Sequence, residues 1–341
     1  MVGHAVVGPG ERRAPKAAGL LSSGLDSALA LRLVSDQGVE VVGVHIVLPF
    51  AREKQDYPGL IAANLGIHLL RVEAGEDYVE VLRSPRHGYG SHMNPCIDCR
   101  IYMLRRAWQV ARELGADFLV TGDVLGQRPM TQHARMLRVE EEEAGVQGLV
   151  VRPLSALLLP ETVPEQKRWV DREGFLALKG KTRKPQLALA RELGIRGYRP
   201  ASGGCPLTHG EFASKVQRLL ACKQRITKND MELLQVGRHF YRGTTQIVVG
   251  RDRNDNAALR RLTQREDWVL EVPRCGSPLT LVRGPKEQQA VEDAARLTAQ
   301  YSDAEAQTVQ VECRGQQGIT TMAVRKEVRP KALPSGSSRR S

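Results

Sequence analysis

Hydrophobic and polar positions in the first third of the chain follow two alternating patterns. Near-continuous apolar runs, such as VEVVGVHIVLPF at 39–50, are typical of strands buried on both faces of a parallel sheet. Between them, stretches such as LDSALALRLVSDQ at 25–37 have the three- and four-residue spacing of a helix and stop at a glycine. This alternation predicts a doubly wound, Rossmann-like parallel α/β sheet, whose ligand binds at the carboxyl ends of the strands. The predicted strands are 18–23, 39–50, 67–73 and 117–123, and the predicted helices are 25–37, 56–66 and 101–115.

Beyond about residue 152 the regular alternation is lost. Helices are predicted at 164–175, 184–195 and 209–221, with a loop at 199–208. From about residue 225, two short strands with a turn, an Arg-rich helix, a helix at 291–301 and late strands at 307–313 and 318–328 predict a second, smaller α+β domain. The predicted organisation is a disordered leader at 1–15, domains at 16–224 and 225–330, and a disordered tail at 331–341.

Composition narrows the class of protein. The chain has 341 residues, a net charge of +12 and six unevenly spaced cysteines. No run of about 18 apolar residues and no signal-like start is present, so we expect a cytoplasmic protein with no membrane partner. Cysteines that are few and irregularly spaced do not form a disulfide scaffold. The positive charge favours a polyanionic partner such as nucleic acid over a merely basic surface.

The stretch LLSSGLDSALA carries the first candidate chemistry. A polar turn between a strand and its helix directs backbone N–H groups toward an anion, and Ser22 and Ser27 add hydroxyl donors. Simple helix capping is the alternative, although a cap needs only one such residue. The loop is not a Walker A motif, because no lysine follows its glycine. A Gly-Lys-Thr at 180–182 also lacks that spacing, since the preceding glycine, Gly174, is one residue too far away.

The same stretch, S-S-G-L-D-S, resembles the PP-loop S-G-G-x-D-S of the ATP pyrophosphatases, with Ser23 where that family has glycine. The resemblance implies an adenine nucleotide alpha hydrolase type of fold, binding of ATP with Mg²⁺, and cleavage between the α- and β-phosphates. It implies a catalytic role for Asp26. The implied ATP-binding residues of the loop are Ser22, Ser23, Gly24, Leu25, Asp26 and Ser27.

Four further stretches narrow the resemblance. NPCIDCR at 94–100, TGDVLGQRPMTQ at 121–132, VRPL at 151–154 and ASGGCPLT at 201–208 together resemble the tRNA thiouridine synthases, in the order found there and over about 17–221. The branch that includes 4-thiouridine synthases and 2-thiouridylases is the most similar. The implied activity is ATP-dependent tRNA sulfurtransfer, with a sulfur donor that is not identified.

Three cysteines form the second candidate site. Cys96 and Cys99 are predicted at a helix N-terminus, where the helix dipole favours thiolates, and Cys205 follows a Gly-Gly loop. The resemblance implies that all three hold a [4Fe–4S] cluster with one open iron, and that Cys99 and Cys205 are catalytic. A metal-free persulfide relay between Cys99 and Cys205, a zinc site and inert thiols remain alternatives, in that order. The fourth ligand of a zinc site would come from His87, His92 or Asp98.

Further polar residues lie near the predicted strand ends. The resemblance places His45 on the adenine side of the nucleotide. Gly122 and Asp123 end the fourth strand where the nucleotide is expected, and Asp123 is a candidate to orient substrate or Mg²⁺, or else a turn residue. Arg128 on the next loop is a candidate RNA contact. The acidic run at 140–143 is predicted to be a solvated helix face.

The C-terminal part resembles the RNA-binding module of the NFACT family through GRHF, IVVGRDRNDN and the Arg-rich helix. This resemblance implies tRNA contacts, with Phe240 and Tyr241 stacking on an unpaired base. An exposed basic face with two core aromatic residues is the alternative. The candidate phosphate contacts are Arg238, Arg242, Arg251, Arg253, Arg260 and Arg261.

Together these features predict an enzyme that adenylates a uridine carbonyl of tRNA and replaces its oxygen with sulfur. The alternatives are an amide-forming ligase that shares the PP-loop, and a non-catalytic RNA-binding protein. The identity of the uridine and of its carbonyl stays open, and a homodimer is one option for the assembly.

Overall fold

The computed structural model describes residues 13–50, 55–200, 204–316 and 318–326. The predicted tail at 331–341 and most of the predicted leader at 1–15 lie outside these ranges. The chain divides into two compact units between Gln217 and Arg218. Within the described ranges, no helix has both the length and the apolar character needed to cross a membrane.

The first unit is built on a parallel sheet of five strands in the order β3-β2-β1-β4-β5. This confirms the predicted α/β class. The strand order reverses between β1 and β4, and the crossover helices on the two sides of that point cover opposite faces. The elements are β1 Lys16–Leu20, α1 Leu25–Ser35, β2 Glu40–Val47, α2 Tyr57–Leu65, β3 His68–Glu73, α3 Asp77–Arg83, α4 Cys96–Glu113, β4 Phe118–Val120, α5 Ala134–Ala144, β5 Val150–Val151, α6 Val163–Gln166 and α7 Lys184–Glu192.

One apolar cluster holds this sheet to its helices. It contains Leu25 and Leu29 of α1, Phe118 of β4 and Ala190 of α7, each at most 2% exposed. The burial of α1 on the sheet fixes the start of that helix at the end of β1. The turn between β1 and α1 therefore has a rigid base at the carboxyl edge of the sheet.

The prediction of a helix at 164–175 is wrong. Only the single turn of α6 is helical, followed by a short 3-10 turn at Arg172–Gly174. Arg168 has a φ of 53°, which breaks a right-handed helix. The break turns Trp169 onto Phe118, where the two rings stack with centroids 6.3 Å apart. Core packing of this tryptophan thus overrides the local helical pattern.

The second unit contains an antiparallel sheet of six strands in the order β11-β10-β8-β9-β7-β6. It confirms the predicted small α+β domain and adds β8 and β9, which the pattern did not predict. Alternate residues of β7 face opposite sides: Ile247 packs with α11, while Val248 packs with α10. The elements are α8 Gly210–Cys222, which contains the division, α9 Lys228–Leu233, β6 Arg238–Arg242, β7 Thr245–Val249, α10 Arg253–Leu262, β8 Trp268–Glu271, β9 Thr280–Arg283, α11 Gln288–Tyr301, β10 Thr308–Gly315 and β11 Gly318–Arg325.

Candidate functional site

The loop between β1 and α1 is an ordered turn at a helix N-terminus. The backbone N–H of Ser22 donates to Ser27 Oγ over 3.2 Å, and the N–H of Gly24 donates to Ser22 Oγ over 3.1 Å. The two hydroxyl oxygens lie 3.0 Å apart. The hydroxyls predicted to meet phosphate are therefore grouped at the positive end of the α1 dipole. The Leu25 side chain is buried in the core, so only its backbone can face a ligand.

Serine at position 23 fits the loop without backbone strain. Among the described residues other than glycine, positive φ occurs at His92, Arg168 and Arg274, so Ser23 does not need the left-handed conformation that favours glycine. The carbonyl of Ser23 also accepts the N–H of Arg199 over 2.8 Å. The departure from the PP-loop pattern thus leaves the shape of the turn intact.

The end of β4 packs directly on this loop. A Cβ built at Gly122 would lie 2.4 Å from the carbonyl carbon of Asp26 and from the backbone nitrogen of Ser27, so any other residue would displace the loop. His45 of β2 lies on the other side, where its Nδ1–H donates to the carbonyl of Leu21 over 2.8 Å. Both predicted positions therefore adjoin the loop, at the point where the strand order reverses.

Two glutamines and an arginine complete this site, and of these the sequence patterns did not indicate Gln186 and Arg183. Gln127 Nε2 donates to Asp26 Oδ2 over 2.7 Å, and Gln186 Nε2 donates to Gln127 Oε1 over 2.9 Å. Arg183 Nη2 lies 3.9 Å from Asp26 Oδ1. Within the part of the chain that the structure describes, Asp26 Oδ1, Gln186 Oε1 and Arg183 Nε are buried without a hydrogen-bond partner. Such atoms indicate a polar recess that accepts a ligand or water.

The Gly-Lys-Thr segment, which lacks the Walker A spacing, lies beside the loop that follows β4. Lys179 pairs with Leu125 in an isolated parallel bridge, and the N–H of Gly180 donates to the carbonyl of Leu125 over 2.8 Å. This bridge brings the start of α7 beside the loop that follows β4. The sequence pattern did not indicate Arg183 and Gln186, because the Gly-Lys-Thr segment before them lacks the Walker A spacing and only the fold brings it beside the loop after β4.

Cys96, Cys99 and Cys205 are partly buried and lie close enough to influence one another electrostatically. α4 begins at Cys96, so Cys96 and Cys99 are both in its first turn. The hydroxyl of Tyr78 donates to Cys99 Sγ over 3.2 Å, and Cys96 Sγ donates to Asn94 Oδ1 over 3.0 Å. Burial raises the pKa of Cys99 to about 12, with smaller contributions from the nearby Cys205 and Cys96 and against the Tyr78 hydrogen bond, which lowers it. The expected dipole-stabilised thiolate is therefore wrong for Cys99, because desolvation outweighs the helix N-terminus.

The side chains of this region that could bind a metal or a cluster are chiefly thiols. Three thiol sulfurs that influence one another electrostatically fit an iron–sulfur cluster in number and kind. The described ranges nevertheless contain no group of three His, Cys, Asp or Glu side chains already arranged to hold a metal ion. Two of the suggested zinc ligands are engaged elsewhere: His87 Nε2 lies 2.8 Å from Glu143 Oε1, and Asp98 accepts backbone N–H groups at 2.8 and 3.1 Å.

A buried charge network lies between the cysteines and the phosphate loop. Asp123 pairs with Arg100, accepts Thr121 Oγ1 over 2.7 Å and Gln132 Nε2 over 3.1 Å, and lies 3.5 Å from Arg152 Nε. Although burial opposes ionisation, the two guanidinium groups hold the pKa of Asp123 well below its usual range. Its carboxylate is thus occupied by protein donors, and its predicted contact with substrate or Mg²⁺ stays a prediction.

The acidic run at 140–143 is not a wholly solvated face. Glu140 is 0% exposed, and neither of its carboxyl oxygens has a hydrogen-bond partner among the described residues. Burial raises its pKa to about 8, against the attraction of Arg100, whose Nε lies 3.8 Å from Glu140 Oε2. Glu140 is therefore a neutral acid at pH 7, and the prediction of a solvated position is wrong for this residue.

The candidate RNA contacts differ in their surroundings. Arg242, Arg251 and Arg260 pair with Asp293, Asp255 and Glu271, and the guanidinium of Arg238 lies 4.7 Å from the ring centroid of Tyr301. Arg253 and Arg261 are exposed and have no acidic partner among the residues that the structure describes. These two are therefore the members of the set with the most accessible charge.

The other predicted RNA contacts are two aromatic residues of the second unit and one arginine of the first unit. Phe240 packs against the sheet core, and the guanidinium of Arg218 lies 5.4 Å from the ring centroid of Tyr241. Arg128 is exposed, in the first unit, and its charge opposes the rise that burial causes in the pKa of Cys205. Arg128 therefore lies near the cysteine site.

Comparisons with known proteins follow the same division of the chain. Residues 13–158 match the family model of the thiamine biosynthesis protein (ThiI), and residues 237–333 match the NFACT protein RNA binding domain. A probable tRNA sulfurtransferase from Thermococcus kodakarensis is 32% identical over 116 residues, 33% of this chain and 30% of the relative. The tRNA-specific 2-thiouridylase MnmA of a Ruegeria species is 27% identical over 216 residues, 58% of this chain and 54% of the relative. The chain thus spans about a third to a half of these relatives, and the matches confirm both predicted resemblances.

Two solved structures are similar at a lower level. A 4-thiouridine synthetase in complex with RNA and bound ATP has 21% identity and a TM-score of 0.40, and the match covers 65% of this chain and 52% of that one. The U34-tRNA thiolase NcsA from Methanococcus maripaludis with its [4Fe-4S] cluster has 17% identity and a TM-score of 0.34, covering 60% and 65%.

Proposed function

We propose that this chain, whose residues 13–158 carry a ThiI-family domain and whose residues 237–333 carry an NFACT-type RNA-binding domain, is an ATP-dependent tRNA sulfurtransferase. It adenylates a carbonyl oxygen of a uridine in tRNA and replaces that oxygen with sulfur. The relatives named as tRNA sulfurtransferase and 2-thiouridylase support this assignment.

The observation that carries the proposal is the short path between the two candidate sites. Gly122 touches the phosphate loop at Asp26, and the next residue, Asp123, pairs with Arg100. Arg100 follows Cys99 directly in α4. An activated uridine would therefore have a sulfur-bearing side chain close to the nucleotide, as a two-step thiolation requires.

In the first step, the uridine carbonyl oxygen attacks the α-phosphorus of ATP, and pyrophosphate leaves. The hydroxyls of Ser22 and Ser27 and the loop N–H groups would bind phosphate oxygens. Asp26 Oδ1, which has no hydrogen-bond partner among the described residues, suits a Mg²⁺ ion or its bound water. Arg183 offers a positive charge for the departing pyrophosphate.

In the second step, sulfur attacks the activated carbon and AMP leaves with the former carbonyl oxygen. Cys96, Cys99 and Cys205 would hold a [4Fe–4S] cluster, which, when bound, offers an iron without a protein ligand to an incoming sulfide. Without metal, the outer sulfur of a persulfide on Cys99 or Cys205 would attack the carbon as AMP leaves; the thiol of the other cysteine would then break the S–S bond, which releases the thiouridine and leaves a disulfide that an external dithiol must reduce. The sulfur donor, the position of the uridine and the choice between its two carbonyls are left open.

Pyrophosphate release and nucleoside mass spectrometry test the proposal together. Purified protein with Mg²⁺, ATP, sulfide and unmodified tRNA should release pyrophosphate only when tRNA is present, and should form a thiouridine. Asp26→Ala should lose both products, while Asp36→Ala, an exposed change at the other end of α1, should keep both. Pyrophosphate release that depends on an amine acceptor would indicate an amide-forming ligase. Binding of tRNA without AMP formation would indicate a non-catalytic RNA-binding protein.

A further inference from the structure

We propose that Arg100 is a positioning residue that holds the cysteine-bearing turn of α4 against the nucleotide loop, so that sulfur transfer remains coupled to adenylation. The proposal rests on the function proposed above and assigns a role to a residue that neither the PP-loop nor the Cys-x-x-Cys pattern contains. The proposal follows from the packing of Gly122 on the phosphate loop and the ion pair between Asp123 and Arg100, since Gly122 precedes Asp123 and Cys99 precedes Arg100 in the chain.

The path begins at the phosphate loop. The backbone of Gly122 is so close to Asp26 and Ser27 that even a methyl group would not fit between them. Asp123 is bonded to Gly122, and its carboxylate pairs with Arg100. Because each member is either packed backbone or a buried ion pair, this path leaves little freedom between the loop and α4.

Two further hydrogen-bond donors and a second guanidinium group make Asp123 a fixed anchor. Thr121 Oγ1, Gln132 Nε2 and Arg152 surround its carboxylate, and the Asp123 side chain is only 7% exposed. The Arg100 side chain is 18% exposed. Its position is therefore imposed by the anchor rather than by solvent or by the rest of α4.

Arg100 is not placed to bind the substrate itself. Its guanidinium is committed to Asp123, with Glu140 Oε2 at 3.8 Å on the other side. Arg152 pairs with both Asp123 and Glu141, so two guanidinium groups face two carboxylates while Glu140 remains protonated. Because the positive and negative charges in this buried network are equal in number, its side chains hold one another in place. We infer that they thereby hold the first turn of α4, with Cys96 and Cys99, in position.

Loss of the Arg100–Asp123 ion pair should impair sulfur transfer but not adenylation. Without this ion pair the first turn of α4 can move by about 1 Å. A displacement of that size lowers the rate of a step that depends on the alignment of the reacting atoms by up to roughly a hundredfold. The phosphate loop keeps its own hydrogen bonds and its contact with Gly122, so adenylation does not depend on Arg100. Loss of the ion pair should therefore release AMP without a matching amount of thiouridine.

The test compares Arg100→Gln and Arg100→Lys with Arg105→Gln. Arg105 is an exposed neighbour on α4, and within the described part of the chain its guanidinium donates only to the Glu143 carbonyl. In Arg100→Gln we expect the KM for ATP and the rate of tRNA-dependent AMP formation to stay within about threefold of wild type. The ratio of thiouridine to AMP should fall by about tenfold or more, with partial rescue in Arg100→Lys, which keeps the charge. Arg105→Gln should keep the wild-type ratio.

A measurement on the metal-free protein makes the test independent of any bound cluster. Hydrogen exchange should become faster in the peptide that contains residues 96–100 of Arg100→Gln, while the peptide that contains the phosphate loop keeps its protection. If Arg100→Gln does not fold, the ratio in Arg100→Lys decides, and a wild-type ratio there overturns the proposal. AMP and thiouridine that fall in parallel also overturn it, because Arg100 would then serve the whole fold. Absence of both products in the wild-type protein instead contradicts the proposed function.

Discussion

Replacement of Glu140 by glutamine is expected to change how the stability of the protein depends on pH. Glu140 is buried on α5 and faces Arg100 of α4, Asp123 after β4 and Arg152 after β5, with Glu141 next to it in the chain. In the folded protein its pKa is raised to about 8, chiefly by burial, from an ordinary value of 4.5. The folded state thus retains a proton that the unfolded chain releases.

The direction and the size of the change in stability follow from the difference between the folded and unfolded pKa of Glu140. Between pH 4.5 and about 8 the folded state binds one more proton than the unfolded state, so the free energy of unfolding decreases as the pH rises. The slope is about 1.4 kcal/mol per pH unit, which accumulates to roughly 3 kcal/mol at pH 7. Glutamine has the same shape and no titration. Glu140→Gln should therefore equal the wild type near pH 4.5 and exceed it by roughly 3 kcal/mol at neutral pH.

Urea unfolding at about pH 5, 6 and 7, followed by circular dichroism, measures the difference. Glu142→Gln is the matched control, because Glu142 is exposed on the same helix and its carboxylate pairs, among the described residues, only with Arg138 at 3.8 Å. The control should shift stability by a small amount that does not vary with pH. A constant difference between Glu140→Gln and wild type across this range would show that Glu140 is ionised in the folded protein, and would refute the reasoning.

Three further changes test other parts of the structure. Gly122→Ala should weaken ATP binding at least about tenfold by calorimetry, because the added Cβ must displace the phosphate loop; unchanged affinity would place the nucleotide elsewhere. The double change Arg253→Gln and Arg261→Gln should lower the salt dependence of tRNA binding by about two phosphate contacts, whereas Arg260→Gln, which removes a residue already paired with a carboxylate, should lower it less. Serine at any cysteine of the candidate site should remove thiolation and about four irons per anaerobically purified chain, while Cys275→Ser should keep both; one bound zinc, or thiolation by metal-free protein, would contradict the cluster.

Local sequence patterns determined much of the architecture. The near-continuous apolar run at 39–50 predicted β2, because a strand that is buried on both faces has no regular polar positions. The three- and four-residue spacing at 25–37 predicted α1, because it is the spacing of a helix. The turn from Ser22 to Ser27 and the pair Cys96 and Cys99 were also visible, since each lies within six residues of chain. The helix expected at 164–175 was wrong because the burial of a tryptophan depends on contacts from distant strands.

The tertiary structure alone decided which residues form one site. The sequence contains Asp26, Arg100 and Asp123 far apart, and only the parallel sheet, with its reversal between β1 and β4, brings their segments to one edge. The tertiary structure also decided which acidic side chains carry a charge. Glu140 looks like its exposed neighbour Glu142 in the sequence, yet α4 and β5 remove it from water and leave it protonated. Burial and ion pairing are sums over neighbours that are remote along the chain, and no local pattern encodes them.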